Sequence, residues 1–350
     1  MYKIALEPHL DSINKAYMKY FSNKKDMQLF LLEKPRWKDA DQLKIIKMVI
    51  FLLKNMIYFS IGKYDLVHIN GANFGIIAYF ASFFKCKYIY TIHGCPYRDI
   101  ERTEGLKKNI LSYINEKFMK IIVRRAEKVL TISKFSQAEL WNNYKIKSDV
   151  IYNGFNKFII DDNSLVDNSD MIDIINKEKK VIFISVGRMI EYKNPFRVID
   201  IFKIAKKQIP NAYLILIGEG ILEKKVKKYI IKNNLENDIL LKRRIDFSQM
   251  GVWYRKSKYF ISACDREGFG LAALEAVACG CIPILPNKGA FPEIFLDKKY
   301  LYDVNNIDKI RFIDLLECDR NFLNNIVKKY SWKNSIEKYE KIYMSLCNMK

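Results

Sequence analysis

The chain predicts an α/β protein of two doubly wound, Rossmann-like domains, and three observations carry that expectation. Short apolar runs alternate with helical patterns from end to end, the mark of parallel sheets covered by helices on both faces. The alternation breaks once, over 157–180, where Asp, Asn and Lys crowd together and periodicity is lost. At 350 residues, half of them apolar, the chain is long enough to fill two separate cores.

In the first half the expected strands are 3–6, 28–32, 66–69, 88–92, 128–132 and 149–152. In the second half they are 181–186, 213–217, 239–241, 259–262, 282–285 and 301–302. Each is a brief run rich in Ile, Val, Leu or Tyr, bounded by polar or turn-forming residues. Helices are expected from Pro195, whose ring suits a first helical turn, and over 222–231, 247–255, 271–279 and about 332–344. The domains read as 1–158, a linker over 159–180, a second domain over 181–325, and a terminal helix within 326–350 that returns to the first domain. His68 lies inside an apolar strand and reads as core; Asn153-Gly154 reads as a turn at an interdomain hinge. Two such sheets facing each other would bring their strand C-terminal ends to one cleft, where sheets of this type bind ligands.

The most informative stretch is Glu267-Gly-Phe-Gly-Leu-Ala-Ala-Leu-Glu275, which follows the strand ending near Ser262. A helix opening here presents the first amides of Phe269, Gly270 and Leu271 and the positive end of its dipole to one spot, which suits an anion. Gly268 and Gly270 let a phosphate approach the backbone where a side chain would block it. Two carboxylates beside a phosphate site are best used to accept hydrogen bonds from hydroxyls. Phosphate donors flanked by hydroxyl acceptors describe a sugar nucleotide. Upstream, the strand 181–186 runs into Gly187-Arg188, and Lys193 follows. Arg supplies a planar fork for phosphate oxygens and Lys a mobile point charge, so the two can neutralise a diphosphate.

These motifs resemble the family 4 glycosyltransferases of the GT-B fold, which carry G-R-x4-K and then E-G-F-G-x4-E-A in the second domain. The resemblance implies that Gly187, Arg188, Lys193 and the backbone of Phe269, Gly270 and Leu271 bind the donor diphosphate. It gives Glu275 the ribose hydroxyls and Glu267 the hydroxyls of the transferred sugar. It also places a catalytic histidine after a strand of the first domain, which matches His93 in Tyr88-Ile-Tyr-Thr-Ile-His-Gly94. Softer matches include Gly218-Glu-Gly220, Pro292-Glu293 and Ser331-Trp332. Two departures stand out. The first strand leads into Glu7-Pro8-His9-Leu10 rather than a glycine-rich loop, so acceptor recognition does not transfer. Lys242-Arg243-Arg244 stands where a glycine would lie near the nucleobase, so a UDP-linked and a GDP-linked donor both remain open.

Blander roles exist for each residue. Glu275 as a solvated helix carboxylate fits poorly among Ala272, Ala273, Ala276 and Ala278, which mark a closely packed helix. Glu267 would also favour the following helix dipole without any ligand. A lone His93 would more often be structural; its place at a strand end before Gly94 favours function.

Composition sets further bounds. Lys and Arg number 60 against 39 acidic residues, a net charge of +21 that attracts anionic surfaces. No zinc finger or RNA-binding aromatic motif accompanies it, and nucleic acid is not expected as a partner. The seven cysteines form no paired framework, and Cys279-x-Cys281 lacks partners for zinc. Free thiols and the absence of a signal peptide point to the cytoplasm. On a helical wheel, Lys44, Lys47, Phe51, Lys54, Asn55 and Tyr58 share one stripe of an otherwise apolar helix over 43–61. Three lysines argue against a span, leaving a helix packed on the sheet, with contact to an anionic membrane surface as the alternative.

The expected activity is therefore retaining transfer of a hexosyl group from a nucleotide-diphosphate sugar, without a metal, to a saccharide or lipid-linked saccharide. Its setting would be O-antigen, capsule or exopolysaccharide synthesis at the cytoplasmic face of the inner membrane. Rivals are a same-fold nucleotide-sugar epimerase, a basic nucleic-acid-binding protein, which leaves Glu267 and Glu275 unexplained, and a non-catalytic partner subunit.

Overall fold

The computed structural model describes residues 1–7, 17–32, 44–70, 72–84, 86–93, 117, 119–155, 180–315 and 318–347. Pro8, His9, Leu10, Gly94 and all but the last residue of the expected linker lie outside them. The chain forms two compact units, Met1–Gly154 with Trp332–Lys350, and Phe155–Ser331.

The first unit is built on a six-stranded sheet of β1 (Tyr2–Leu6), β2 (Met27–Leu31), β3 (Leu66–Ile69), β4 (Tyr88–Ile92), β5 (Lys128–Thr131) and β6 (Asp149–Val150). Its order is β2-β1-β3-β4-β5-β6, and every pair is parallel. The second unit holds β7 (Val181–Val186), β8 (Ala212–Ile217), β9 (Ile239–Lys242), β10 (Tyr259–Ile261), β11 (Ile282–Pro286) and β12 (Leu301–Tyr302). Its order is β12-β11-β10-β7-β8-β9, again all parallel. Every expected strand is present, with ends within two residues of expectation. Near-continuous burial along β3, β4 and β11 shows why these runs read as unbroken apolar segments: both faces of the sheet are covered.

Helices in the first unit include α1 (Lys44–Ser60), α2 (Ala72–Ala81) and α3 (Lys134–Tyr144). Those of the second are α4 (Pro195–Gln208), α5 (Glu223–Lys232), α6 (Met250–Lys256), α7 (Leu271–Ala278), α8 (Phe291–Ile294) and α9 (Arg320–Lys329). The terminal helix α10 (Trp332–Leu346) packs in the first unit, where Ile336, Tyr339 and Tyr343 join Ile4, Leu66, Ile89 and Leu130 in one core cluster.

That docking surface has a polar centre. His68 on β3 is core, as its apolar strand implied, with 1% of its surface exposed. Its Nδ1 lies 2.6 Å from the Tyr343 hydroxyl on α10, and its Nε2 lies 2.7 Å from Thr91 Oγ1 on β4. Burial pushes the imidazole pKa down to about 3, so the ring is neutral, with one nitrogen donating and the other accepting.

The polar stripe of helix α1 divides in the structure: Lys54 is exposed, whereas Asn55 is buried and donates from Nδ2 to the Phe51 carbonyl oxygen at 2.8 Å. Phe59 fills the core, while Ile50, Leu53 and Ile57 are exposed. The sequence shows which side is polar, but an amide that satisfies itself against its own helix can turn inward and leave aliphatic side chains outside.

Tyr343→Phe should cost about 1–3 kcal/mol, because His68 keeps its burial and loses a partner. Denaturant unfolding measures this directly. Because the His68 pKa is lowered on folding, its contribution is complete above about 6.5 and is lost as pH falls toward 3. The gap between wild type and a His68→Gln variant should narrow over that window.

Candidate functional site

The topology of the second sheet selects one place. From β7 the chain moves outward through β8 and β9, then returns to lay β10 on the opposite side of β7. The loops leaving β7 and β10 therefore part at a switch point, the position at which doubly wound sheets open a crevice beyond their strand ends. The first of these loops carries Gly187, Arg188 and Lys193, and the second carries Glu267.

The β7 loop is held from beneath by two glycines of the next strand exit. A Cβ on Gly218 would lie 1.8 Å from the Gly187 carbonyl oxygen, and one on Gly220 would lie 2.4 Å from that of Met189. Hydrogen bonds from Gly187 N to Ile217 O (3.0 Å) and from Met189 N to Glu219 O (2.9 Å) fix the path. A single helical turn, Glu191–Lys193, follows, and Asn194 turns the backbone with φ 49° to open α4 at Pro195. Asn194 Oδ1 accepts from Arg197 N at 3.2 Å, capping that helix. The result is a rigid pedestal for Lys193.

Lys193 Nζ meets Glu267 Oε2 at 2.6 Å, with 25% and 17% of the two side chains exposed. Burial works against the ammonium, but the Glu267 carboxylate, with a smaller share from Cys264, outweighs it and holds the Lys193 pKa above its ordinary value. Arg197 Nη1 pairs with Asp265 Oδ1 at 2.6 Å, a second tie between the same two loops. Arg188 is exposed and donates from Nη2 to the Tyr192 hydroxyl.

Glu267 is positioned by backbone as well. Ala290 N donates to Glu267 O at 2.9 Å, and a Cβ on Gly289 (φ 65°) would lie 2.7 Å from Glu267 N. Gly270, at φ 88°, opens α7 and has no side chain to cap the helix itself. A Cβ there would come within 2.6 Å of the Phe291 ring. The Phe269 side chain is buried against Tyr330, leaving only its backbone for a ligand. One turn further, burial pushes the Glu275 carboxyl up to about 8, opposed in part by a hydrogen bond from the buried Tyr254 hydroxyl.

Of the residues singled out from sequence, the second unit brings Gly187, Arg188, Lys193, Glu267, Phe269, Gly270 and Leu271 to this switch point, with Glu275 further along α7. His93 stands apart in the first unit, after β4. There the sheet has its own switch point, between β1 and β3, and the residues leaving those strands bond to each other. Asn70 N donates to Glu7 Oε2 at 2.9 Å, and Asn70 Nδ2 donates to Glu7 O at 2.6 Å. With its amide so oriented, Asn70 presents Oδ1 to His93 Nε2 at 2.8 Å, so the proton sits on Nε2.

Sequence reasoning missed Tyr192, the Arg197–Asp265 pair, Gly289 and the Glu7–Asn70 support of His93. Tyr192 sits within the Gly-Arg-x4-Lys spacing and was open to notice. The others depend on contacts between distant stretches and leave no local pattern.

Among the described residues, no group of three or more His, Cys, Asp or Glu is placed to hold a metal ion. Residues 28–157 match Glycosyltransferase Family 4, and residues 166–330 match Glycosyl transferases group 1. The fold is that of sucrose-phosphate synthase from Thermosynechococcus elongatus, with a TM-score of 0.75 over 100% of both chains at 16% identity. The chain is a GT-B-fold glycosyltransferase. Relatives of this glycosyltransferase include the uncharacterized glycosyltransferase MJ1178 of Methanocaldococcus jannaschii, 29% identical over 65% of this chain and 62% of that protein. Another is the N-acetylgalactosamine-N,N'-diacetylbacillosaminyl-diphospho-undecaprenol 4-alpha-N-acetylgalactosaminyltransferase of Campylobacter jejuni. It is 27% identical over 80% of this chain and 74% of that protein.

Two outcomes follow from this geometry. The folded Glu275 pKa of about 8 stands above its ordinary 4.5, so its stabilising contribution is complete below the lower value and is lost as pH rises through the higher. Glu275→Gln should therefore gain melting temperature relative to wild type between about pH 5 and pH 9. Gly289→Ala should cost about 1–3 kcal/mol by forcing a Cβ into the Glu267 backbone, and activity should fall further than the melting temperature alone accounts for.

Proposed function

We propose that this glycosyltransferase moves a hexosyl group from a nucleoside-diphosphate sugar to a saccharide or lipid-linked saccharide, retaining the anomeric configuration. The observation that carries the donor side is the Lys193–Glu267 pair at the β7/β10 switch point, beside the glycine-led first turn of α7. A diphosphate here offers Lys193 a second anionic partner and draws on Arg188 and the amides near Gly270 and Leu271. As Lys193 turns to phosphate, Glu267 is released to accept hydrogen bonds from the transferred sugar. Glu275 takes the ribose hydroxyls.

Bond cleavage builds charge on the leaving diphosphate, and cations fixed before the reaction stabilise that charge without reorganising. Neutralisation by Arg188 and Lys193 gives the leaving group what a divalent ion would otherwise supply, so the proposed reaction needs no metal. The incoming hydroxyl attacks from the face the diphosphate leaves, and its proton passes to a departing phosphate oxygen. For His93, whose Nε2 proton is turned to Asn70, the family resemblance supports a catalytic role. A lipid-linked acceptor is supported by the diphospho-undecaprenol in the name of the Campylobacter relative. Synthesis of a surface polysaccharide at the cytoplasmic face of a membrane fits that acceptor.

Arg188→Ala and Lys193→Ala should each lower kcat/KM by about 100-fold, the scale of losing one charge-stabilising donor. Glu267→Gln should chiefly slow transfer, and Glu275→Gln should weaken nucleotide binding. Transfer in excess chelator should match transfer with magnesium, and product NMR should show the donor's anomeric configuration. Wild-type turnover in both alanine variants would overturn the donor-site assignment.

A further inference from the structure

The exposed apolar side chains of the protein are unevenly distributed. In the second unit they are scattered, as at Ile221, Phe247 and Leu296. In the first unit they gather on two helices that pack against each other, α1 and α2. Ile50, Leu53 and Ile57 recur at helical spacing along one face of α1, with Ile61 just beyond its end, and are 50–63% exposed. On α2 and its exit, Ile76, Phe80, Phe83 and Phe84 are 42–74% exposed, also at helical spacing. Arg125 joins a third segment to this face: its guanidinium lies 4.6 Å from the Phe83 ring, and its Nε donates to Ser82 Oγ at 3.1 Å. Nearby Ile121 is 47% exposed.

A soluble surface rarely gathers so many large apolar groups without a partner. The charge around them selects which partner. Taken together, stretches 50–63, 75–84 and 119–126, which build this face, carry lysine and arginine but no aspartate or glutamate, with Asp65 and Glu127 just beyond them. Lys54 and Lys63 are exposed beside the apolar face of α1, and Arg125 is exposed beside the exit of α2. A second copy would bring a like-charged face and a net charge of +21 against it, which opposes self-association. Aliphatic and phenyl groups ringed by long basic side chains suit a bilayer interface, where the apolar groups enter the acyl boundary and the cations meet anionic headgroups. No described helix is long and apolar enough to cross a membrane, so contact is with one leaflet.

We propose that α1 and α2 form a docking face for an anionic lipid leaflet, held by inserted apolar side chains as well as by charge. Such contact would hold the enzyme at the surface where a lipid-linked acceptor lies. The docking itself rests on exposure and charge and not on the donor-site assignment.

The test is flotation of the full chain with phosphatidylcholine vesicles and with phosphatidylglycerol-rich vesicles. Wild type should float with the anionic vesicles and far less with the neutral ones. Ile57→Ser/Phe80→Ser/Phe84→Ser should bind the anionic vesicles about tenfold more weakly or worse, since each inserted chain adds to the partition energy. Its melting temperature and its transfer to a water-soluble acceptor should stay at wild-type values, because these side chains are already exposed. The control Ile221→Ser/Leu296→Ser should bind as wild type does. Equal vesicle binding by wild type and the triple variant, or no binding by wild type, would overturn the proposal. So would a stable dimer that the triple variant abolishes.

Discussion

The ion pair between Lys193 and Glu267 joins the two loops that part at the β7/β10 switch point, and the proposed donor site is organised around it. A half-buried pair of this kind adds little net stability, because desolvation offsets most of the attraction. Its value is positional. Removing either partner leaves the other charge in a place built for two, and this is what makes the pair responsive to a ligand. An incoming diphosphate can share the lysine, and the carboxylate then needs a new set of donors, which sugar hydroxyls supply. The supports of the pair are made mostly of backbone: the close approach of Gly218 to Gly187, the turn at Asn194, and Gly289 against Glu267.

Neighbouring Glu275 follows a different logic. Its environment disfavours the carboxylate, and Tyr254 only partly compensates. A group kept largely neutral near a diphosphate avoids adding repulsion to a site that must attract anions. With Lys193 paired to Glu267 and the Glu275 carboxyl held up by burial, Glu275 adds little negative charge near the opening of α7. The first unit uses hydrogen bonds to similar effect. His68 anchors α10 through Tyr343, and His93 is oriented by an amide that is itself held by Glu7.

Strands and the glycine-led helix start were legible in the sequence because both are local. A strand buried on two faces has to be continuously apolar, as β3 and β4 are. A helix entered through left-handed backbone favours glycine, as Gly270 shows at φ 88°. Gly289 and the Arg197–Asp265 tie were not legible, since each draws its meaning from a partner far away in the chain. Helix α1 shows the limit of periodicity from the other side. It is apolar around most of its circumference, so the wheel did not say which part faces the sheet, and the burial of Asn55 appears only in the structure. Glu7 was noted as a departure from a glycine-rich loop, but its role in holding Asn70 appears only when β1 and β3 are placed side by side.

The most direct measurement of the central claim is a crystal structure of the protein with a nucleoside diphosphate bound. The diphosphate should lie beyond the ends of β7 and β10, its oxygens within hydrogen-bond distance of Lys193 Nζ and of an amide at Gly270 or Leu271. The 2.6 Å contact between Lys193 and Glu267 should be lengthened or broken. A diphosphate bound elsewhere, with that contact unchanged, would contradict the account.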